Sequence, residues 1–187
     1  MAEVDELRAT LDELFKGSKL ALDSISQEHI SKLLEMILKS RHIFVVGAGR
    51  SGLIVKSFAI KLARLGFDIN VVGETVLAHP ERGDLLIAVS DSGETAFTVK
   101  AASIAKRLGT SVVAVTSCPE SSLGKEADMV IMLSGWEKLS AEGGQPEGIG
   151  EDNAISSAAT MFEVSAMIFL NSIAMCLRKL KKQKIGG

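Results

Sequence analysis

A three-layer α/β/α domain, built on a parallel sheet with helices on both faces, is the fold this sequence predicts. Two observations carry that expectation. Short apolar runs near 43–47, 69–73, 85–89, 111–116 and 128–133 alternate with stretches whose apolar residues recur at helical spacing. Two of the runs also end in polar turns that lead directly into a helical pattern. These are Val45-Val46-Gly47-Ala48-Gly49-Arg50-Ser51-Gly52 and Ile87-Ala88-Val89-Ser90-Asp91-Ser92-Gly93-Glu94-Thr95. Strands alternating with helices pair in parallel through right-handed crossovers. With 187 residues, 47% of them hydrophobic, the chain has material for one sizeable core, so 1–187 reads as a single domain.

Each element has its own signal. Val4, Leu7, Leu11, Leu14 and Phe15, and then Ile30, Leu33, Leu34, Ile37 and Leu38, mark helices over about 3–40. After the first strand, 51–65 reads as a helix with Gly66 at its C-terminal end; 94–108 does the same with Gly109. Pro119 opens a shorter helix over 119–125. Residues 134–155 break the alternation. Rich in Gly and Glu, and holding the single tryptophan Trp136, they read as either a mobile flap or disorder. The last helix covers about 160–182 and ends in Arg178, Lys179, Lys181 and Lys182, which suit its negative end. Met167, Ile168, Phe169, Leu170, Ile173, Ala174, Met175 and Leu177 make it apolar on nearly all sides. Such a helix must be buried, and together with the N-terminal helices it predicts a symmetric subunit interface.

Charge and composition narrow the function. A formal net charge of −2 gives no positive field for nucleic acid or an anionic membrane. The apolar stretch from Met161 to Leu177 is interrupted by polar residues and falls short of the roughly 20 residues a membrane span needs. The N-terminus is acidic and lacks a signal-peptide core, and Cys118 and Cys176 have no metal-ligand spacing. The expectation is therefore a reduced, cytoplasmic setting.

The two turns carry the chemistry. Gly lets backbone approach an anion, Ser and Thr supply hydroxyl donors, and a following helix supplies free N–H groups with a partial positive charge. Two such turns in one domain predict a phosphorylated small molecule held between them. A rival reading exists. Gly47-x-Gly49-x-x-Gly52 is also the dinucleotide fingerprint, with Glu74 at about the required distance. The second Ser/Thr-rich turn and the lack of room for a separate substrate domain favour the phosphate.

Gly-Ala-Gly-Arg-Ser-Gly-Leu at 47–53, Lys56-Ser57-Phe58-Ala59, Leu65-Gly66-Phe67, Val72-Gly73-Glu74, Ser90-x-Ser92-Gly93-Glu94-Thr95 and Phe162-Glu163 together resemble the sugar isomerase (SIS) domain superfamily. Within it, they look like the 6-phospho-3-hexuloisomerases. The resemblance implies a five-stranded, Rossmann- or flavodoxin-like parallel sheet and a homotetramer that works without metal or nicotinamide cofactor. It implies interconversion of 3-hexulose 6-phosphate and fructose 6-phosphate through an enediol or enediolate. Glu163 matches the family's acid–base glutamate, and Ser51, Ser90, Ser92 and Thr95 match its phosphate hydroxyls. Gly47, Gly49 and Gly93 shape the turns, Arg50 meets sugar or phosphate charge, and His79 is a candidate for ring opening. Other outcomes remain open: a regulatory SIS module that binds a phosphosugar, or an isomerase of another substrate such as arabinose 5-phosphate. Thr160-x-x-Glu163 is also a capping box, in which Glu163 only closes a helix start. Asp91, where the family usually has Gly or Gln, would repel a phosphate if it faced the ligand.

Overall fold

The computed structural model describes residues 2–134 and 157–185. Most of the segment expected to be a flap or disorder, 134–155 with Trp136, lies outside the described residues. The elements run α1 (Ala2–Asp23), α2 (Gln27–Lys39), β1 (Ile43–Val46), α3 (Gly49–Arg64), β2 (Ile69–Val71), β3 (Leu85–Val89), α4 (Ala96–Arg107), β4 (Ser111–Thr116), α5 (Ser122–Glu126), β5 (Met129–Met132) and α6 (Ser157–Ile185). The five strands form one parallel sheet in the order β2-β1-β3-β4-β5.

Both faces of the sheet are covered, which is why β1, β3 and β4 read as continuous apolar runs rather than alternating ones. Ile43, Val45, Leu85, Ile87, Val113 and Val115 point to one layer, where they meet Leu33 and Ile37 of α2, Val55, Phe58 and Leu62 of α3, and Phe162, Phe169 and Ile173 of α6. Phe44, Val46, Leu86, Ala88, Val112 and Ala114 point to the other, against Ala102 and Ala105 of α4 and Leu123 of α5. Gly66 and Gly109 do end α3 and α4, at φ +78° and +83°, where a residue with a Cβ would be strained.

The structure corrects two details of the last helix. It is already helical at Ser157, so Thr160 is inside it and cannot cap it. Its length also exceeds the expectation, and Ala158–Gln183 is long and apolar enough to cross a membrane by length and composition. That apolar surface belongs largely to the domain itself: Phe162, Ala166, Phe169, Leu170, Ile173 and Leu177 are buried among the sheet and α3. The helix α1 packs on it through Gly17, Ser18 and Ala21. A Cβ at Gly17 would come within 2.4 Å of the Met161 sulfur, so that flexible side chain would have to shift to admit one.

Candidate functional site

The chain reverses direction across the sheet between β1 and β3. From β1 it crosses by α3 to β2 on one side; β3 then lies on β1's other flank. The helices that follow these two strands leave to opposite faces, and the crevice left between their carboxyl ends is where ligands bind in open α/β sheets. A cleft of about 430 Å³ opens at this place. Its walls are Ala48, Gly49, Arg50 and Ser51 after β1, then Val89, Ser90, Asp91, Ser92 and Thr95 after β3. Ala159, Phe162 and Glu163 of α6 complete it.

The hydroxyls and the helix ends converge here. Ser90 is buried; its Oγ lies 3.1 Å from Thr95 Oγ1 and accepts the Gly93 N–H at 3.2 Å. Ser92 Oγ accepts the Glu94 N–H at 3.3 Å. The N-cap residues of α3 and α4, Ala48 and Thr95, both line the cleft. Among the described residues no side chain caps either helix. Away from the cleft the opposite holds: Ser26 caps α2 by accepting the His29 N–H, and Ser121 caps α5 by accepting the Gly124 N–H. The first backbone N–H groups of a helix have no intrahelical acceptor, so α3 and α4 each present uncapped donors and a positive dipole end toward this region.

Charge is concentrated on one ion pair. Arg50 Nε lies 2.7 Å from Glu163 Oε1, with the Arg50 side chain 49% exposed and Glu163 24%. Because Thr160 is no cap, the capping-box reading of Glu163 fails, and its carboxylate is turned to Arg50 at the cleft wall. Asp91 also lines the cleft, yet its Oδ1 accepts a 2.6 Å hydrogen bond from Ser117 Oγ, just beyond β4. Its carbonyl accepts from Thr116 Oγ1 and Ser117 Oγ. Burial pushes the Asp91 carboxyl up from its ordinary value, against the opposing pull of the Ser117 hydrogen bond and the Arg50 charge.

Six of the eight residues expected to bind substrate meet in this cleft or belong to its walls: Gly49, Arg50, Ser51, Ser90, Ser92 and Thr95. The other two act behind it. A Cβ at Gly47 would sit 2.8 Å from the Ser51 backbone, and Gly93, at φ +65°, would drive a Cβ to 1.9 Å from Ser121 Oγ. Glu163 is in place, but His79 is exposed on the connection between β2 and β3 and is absent from the described residues lining the cleft. Glu74, the residue the dinucleotide reading needs, is held by Lys56 Nζ at 2.7 Å beside a separate small cleft. Sequence reasoning missed Ser117 and the wall formed by Ala159 and Phe162. Ser117 follows a strand at the sheet's carboxyl edge, but nothing in the sequence sets it apart from other polar residues there.

Known proteins share this architecture. The SIS domain family model matches residues 36–141. The chain belongs to the SIS domain family. It is 38% identical over 157 residues to a Bacillus subtilis protein named 3-hexulose-6-phosphate isomerase, covering 84% of this chain and 81% of that one. A Methanococcus jannaschii crystal structure, described as inferring a molecular function of 3-hexulose-6-phosphate isomerase, superposes with a TM-score of 0.74 at 28% identity, covering 95% of this chain and 92% of that one. An Escherichia coli CFT073 protein solved as a complex has the same fold, with a TM-score of 0.72 at 21% identity over 97% of this chain and 92% of that one.

Proposed function

We propose that this protein is a phosphosugar isomerase that interconverts 3-hexulose 6-phosphate and fructose 6-phosphate. Moving a carbonyl between C3 and C2 requires taking a proton from one carbon and returning it to its neighbour through an enediol or enediolate. Glu163 carries that proton. Arg50, already paired with it, lies beside the oxygens on which negative charge develops. The phosphate sits between the two uncapped helix ends, accepting from Ser51, Ser90, Ser92 and Thr95, and this remote grip aligns the reacting carbons with the base. His79, which does not line the cleft among the described residues, is the candidate for ring opening if a second protomer presents it there. The same reading makes the enzyme a cytoplasmic homotetramer of single-domain subunits. The observation that carries it is the Arg50–Glu163 pair on the wall of a cleft lined with hydroxyls.

The test is turnover of fructose 6-phosphate by purified protein, with Glu163→Gln as the comparison. General acid–base catalysis contributes about 10²–10⁴-fold, so the variant's turnover should fall on that scale without a loss of ligand affinity and with little change in melting temperature. An active Glu163→Gln enzyme would remove Glu163 from the mechanism. Saturable binding without turnover in the wild type would favour a regulatory phosphosugar-binding module instead.

A further inference from the structure

The charges around the cleft do not balance for an anionic ligand. Among the described residues Arg50 is the cation on its walls, and Glu163 already engages it at 2.7 Å. Asp91 adds a second carboxylate, and it is set between Ser90 and Ser92, two of the hydroxyls assigned to the phosphate above. The groups facing Asp91 can be named element by element. From the end of β4 come the Ser117 hydroxyl and, 3.5 Å from that hydroxyl, the Cys118 thiol. From α3 comes Arg50, and α6 contributes Glu163 to the opposite wall. On its own turn, the Glu94 carboxylate is drawn off to the Ser122 N–H at 2.8 Å. Asp91 Oδ1 is occupied by Ser117, whereas Oδ2 makes no hydrogen bond among the described residues.

An ionised carboxylate here would face phosphoryl oxygens that can only accept hydrogen bonds, just as it can. One proton placed between them turns the repulsion into an O–H···O⁻ hydrogen bond, among the shorter and stronger kinds. Resting on the phosphosugar reading, we propose that Asp91 makes phosphate recognition in this cleft proton-coupled: the ligand is bound together with one proton shared between Asp91 Oδ2 and a phosphoryl oxygen. The partial burial that raises the Asp91 carboxyl already lowers the cost of taking up that proton. Asp91 is thereby a specificity-determining residue. It selects a group basic enough to hold the shared proton, which a phosphate monoester is and a sulfate ester is not, and it ties affinity to pH.

The experiment is calorimetric titration with glucitol 6-phosphate, a hexitol phosphate with no carbonyl to isomerise, at pH 8 in two buffers of different ionisation enthalpy. Wild-type protein should take up close to one proton per ligand bound, and Asp91→Asn close to none. The Asn variant, whose amide donates without a proton being supplied, should bind at least about tenfold more tightly at pH 8, one pK unit of coupling being tenfold. The gap should close as the pH falls toward 6. Binding without proton uptake by the wild type, or equal uptake by both proteins, overturns the proposal and leaves the phosphosugar reading intact. If neither protein binds glucitol 6-phosphate or fructose 6-phosphate, the phosphosugar reading itself is wrong and the proposal falls with it.

Discussion

Ser92 and Ser90 contribute the same chemical group to the cleft but should respond differently to substitution. The Ser92 hydroxyl accepts one N–H in an exposed position, so Ser92→Ala frees a donor that water can satisfy. Folding should be nearly unchanged, while fructose 6-phosphate binding weakens by about 1–3 kcal/mol, the scale of a charge-assisted hydrogen bond. Unchanged affinity by calorimetry would take Ser92 out of the phosphate site. Ser90 is buried and holds both Thr95 and the Gly93 N–H, so Ser90→Ala would confound affinity with folding. A different residue sets the acid limit of stability. Asp84 is buried, which pushes its carboxyl up, but N–H groups of Glu81 and His42 and the His42 ring outweigh burial and hold it below its ordinary value. A carboxyl lowered on folding contributes stability that is present above its unfolded pKa, about 3.9, and lost as pH falls through the folded value. Melting temperature should therefore drop steeply below about pH 4, and Asp84→Asn should be less stable at pH 7 with a shallower acid slope. An unaltered slope in the variant would mean that other carboxylates govern acid unfolding.

The helices α3 and α4 trade stability for an open anion site, and this can be tested at the end of one of them. Ala48 has φ −117° and ψ 154°, the extended conformation an N-cap uses. Ala48→Asp should let a carboxylate accept the free N–H groups of α3, raising stability by about 0.5–2 kcal/mol as caps do. The same carboxylate would occupy the place of the ligand's negative charge, so fructose 6-phosphate affinity should fall at least about tenfold, one unit charge opposing another at close range. Thermal melts and titration of the same variant check both halves; a stabilised variant with full affinity would show that α3 does not face the phosphate. Much at this scale is legible in the sequence. The strands announce themselves because both faces are buried, and the turn residues are legible because Gly, Ser and Thr after a strand have few other uses. The start of α6 is not, since Ser157-Ala158-Ala159 carry no periodic apolar signal, and Thr160 then imitates a cap. Neither is the Arg50–Glu163 pair, which joins distant parts of the chain through tertiary packing alone. Ser117 looks like any polar residue after a strand until Asp91 is found beside it.

At the scale of the whole molecule, the exposed apolar surface is divided unevenly among the helices expected to meet another subunit. The subunit contact is expected on the N-terminal helices and the last helix together; of these, the last helix places most of its apolar side chains in its own core, with Met175 its large exposed one among the described residues. The surplus is on α1. Val4, Leu7, Leu11 and Phe15 are 53%, 59%, 44% and 67% exposed, at the spacing that puts them along one helical stripe. The buried residues of α1 are Gly17, Ser18 and Ala21 in its later part, so among the described residues the first half leaves its stripe exposed. A helix offering an apolar ridge to water loses more than helix propensity returns, which makes a second copy's α1 the natural cover under a symmetric, self-complementary interface. Light scattering at micromolar concentration should therefore report an oligomer. Replacing Leu7, Leu11 and Phe15 together by Glu places like charges face to face across such an interface and should yield a folded monomer. Each subunit's core lies elsewhere, so circular dichroism should stay near that of the wild type. If the wild type is already a monomer, or the triple variant keeps the oligomer, the stripe is not the contact between subunits.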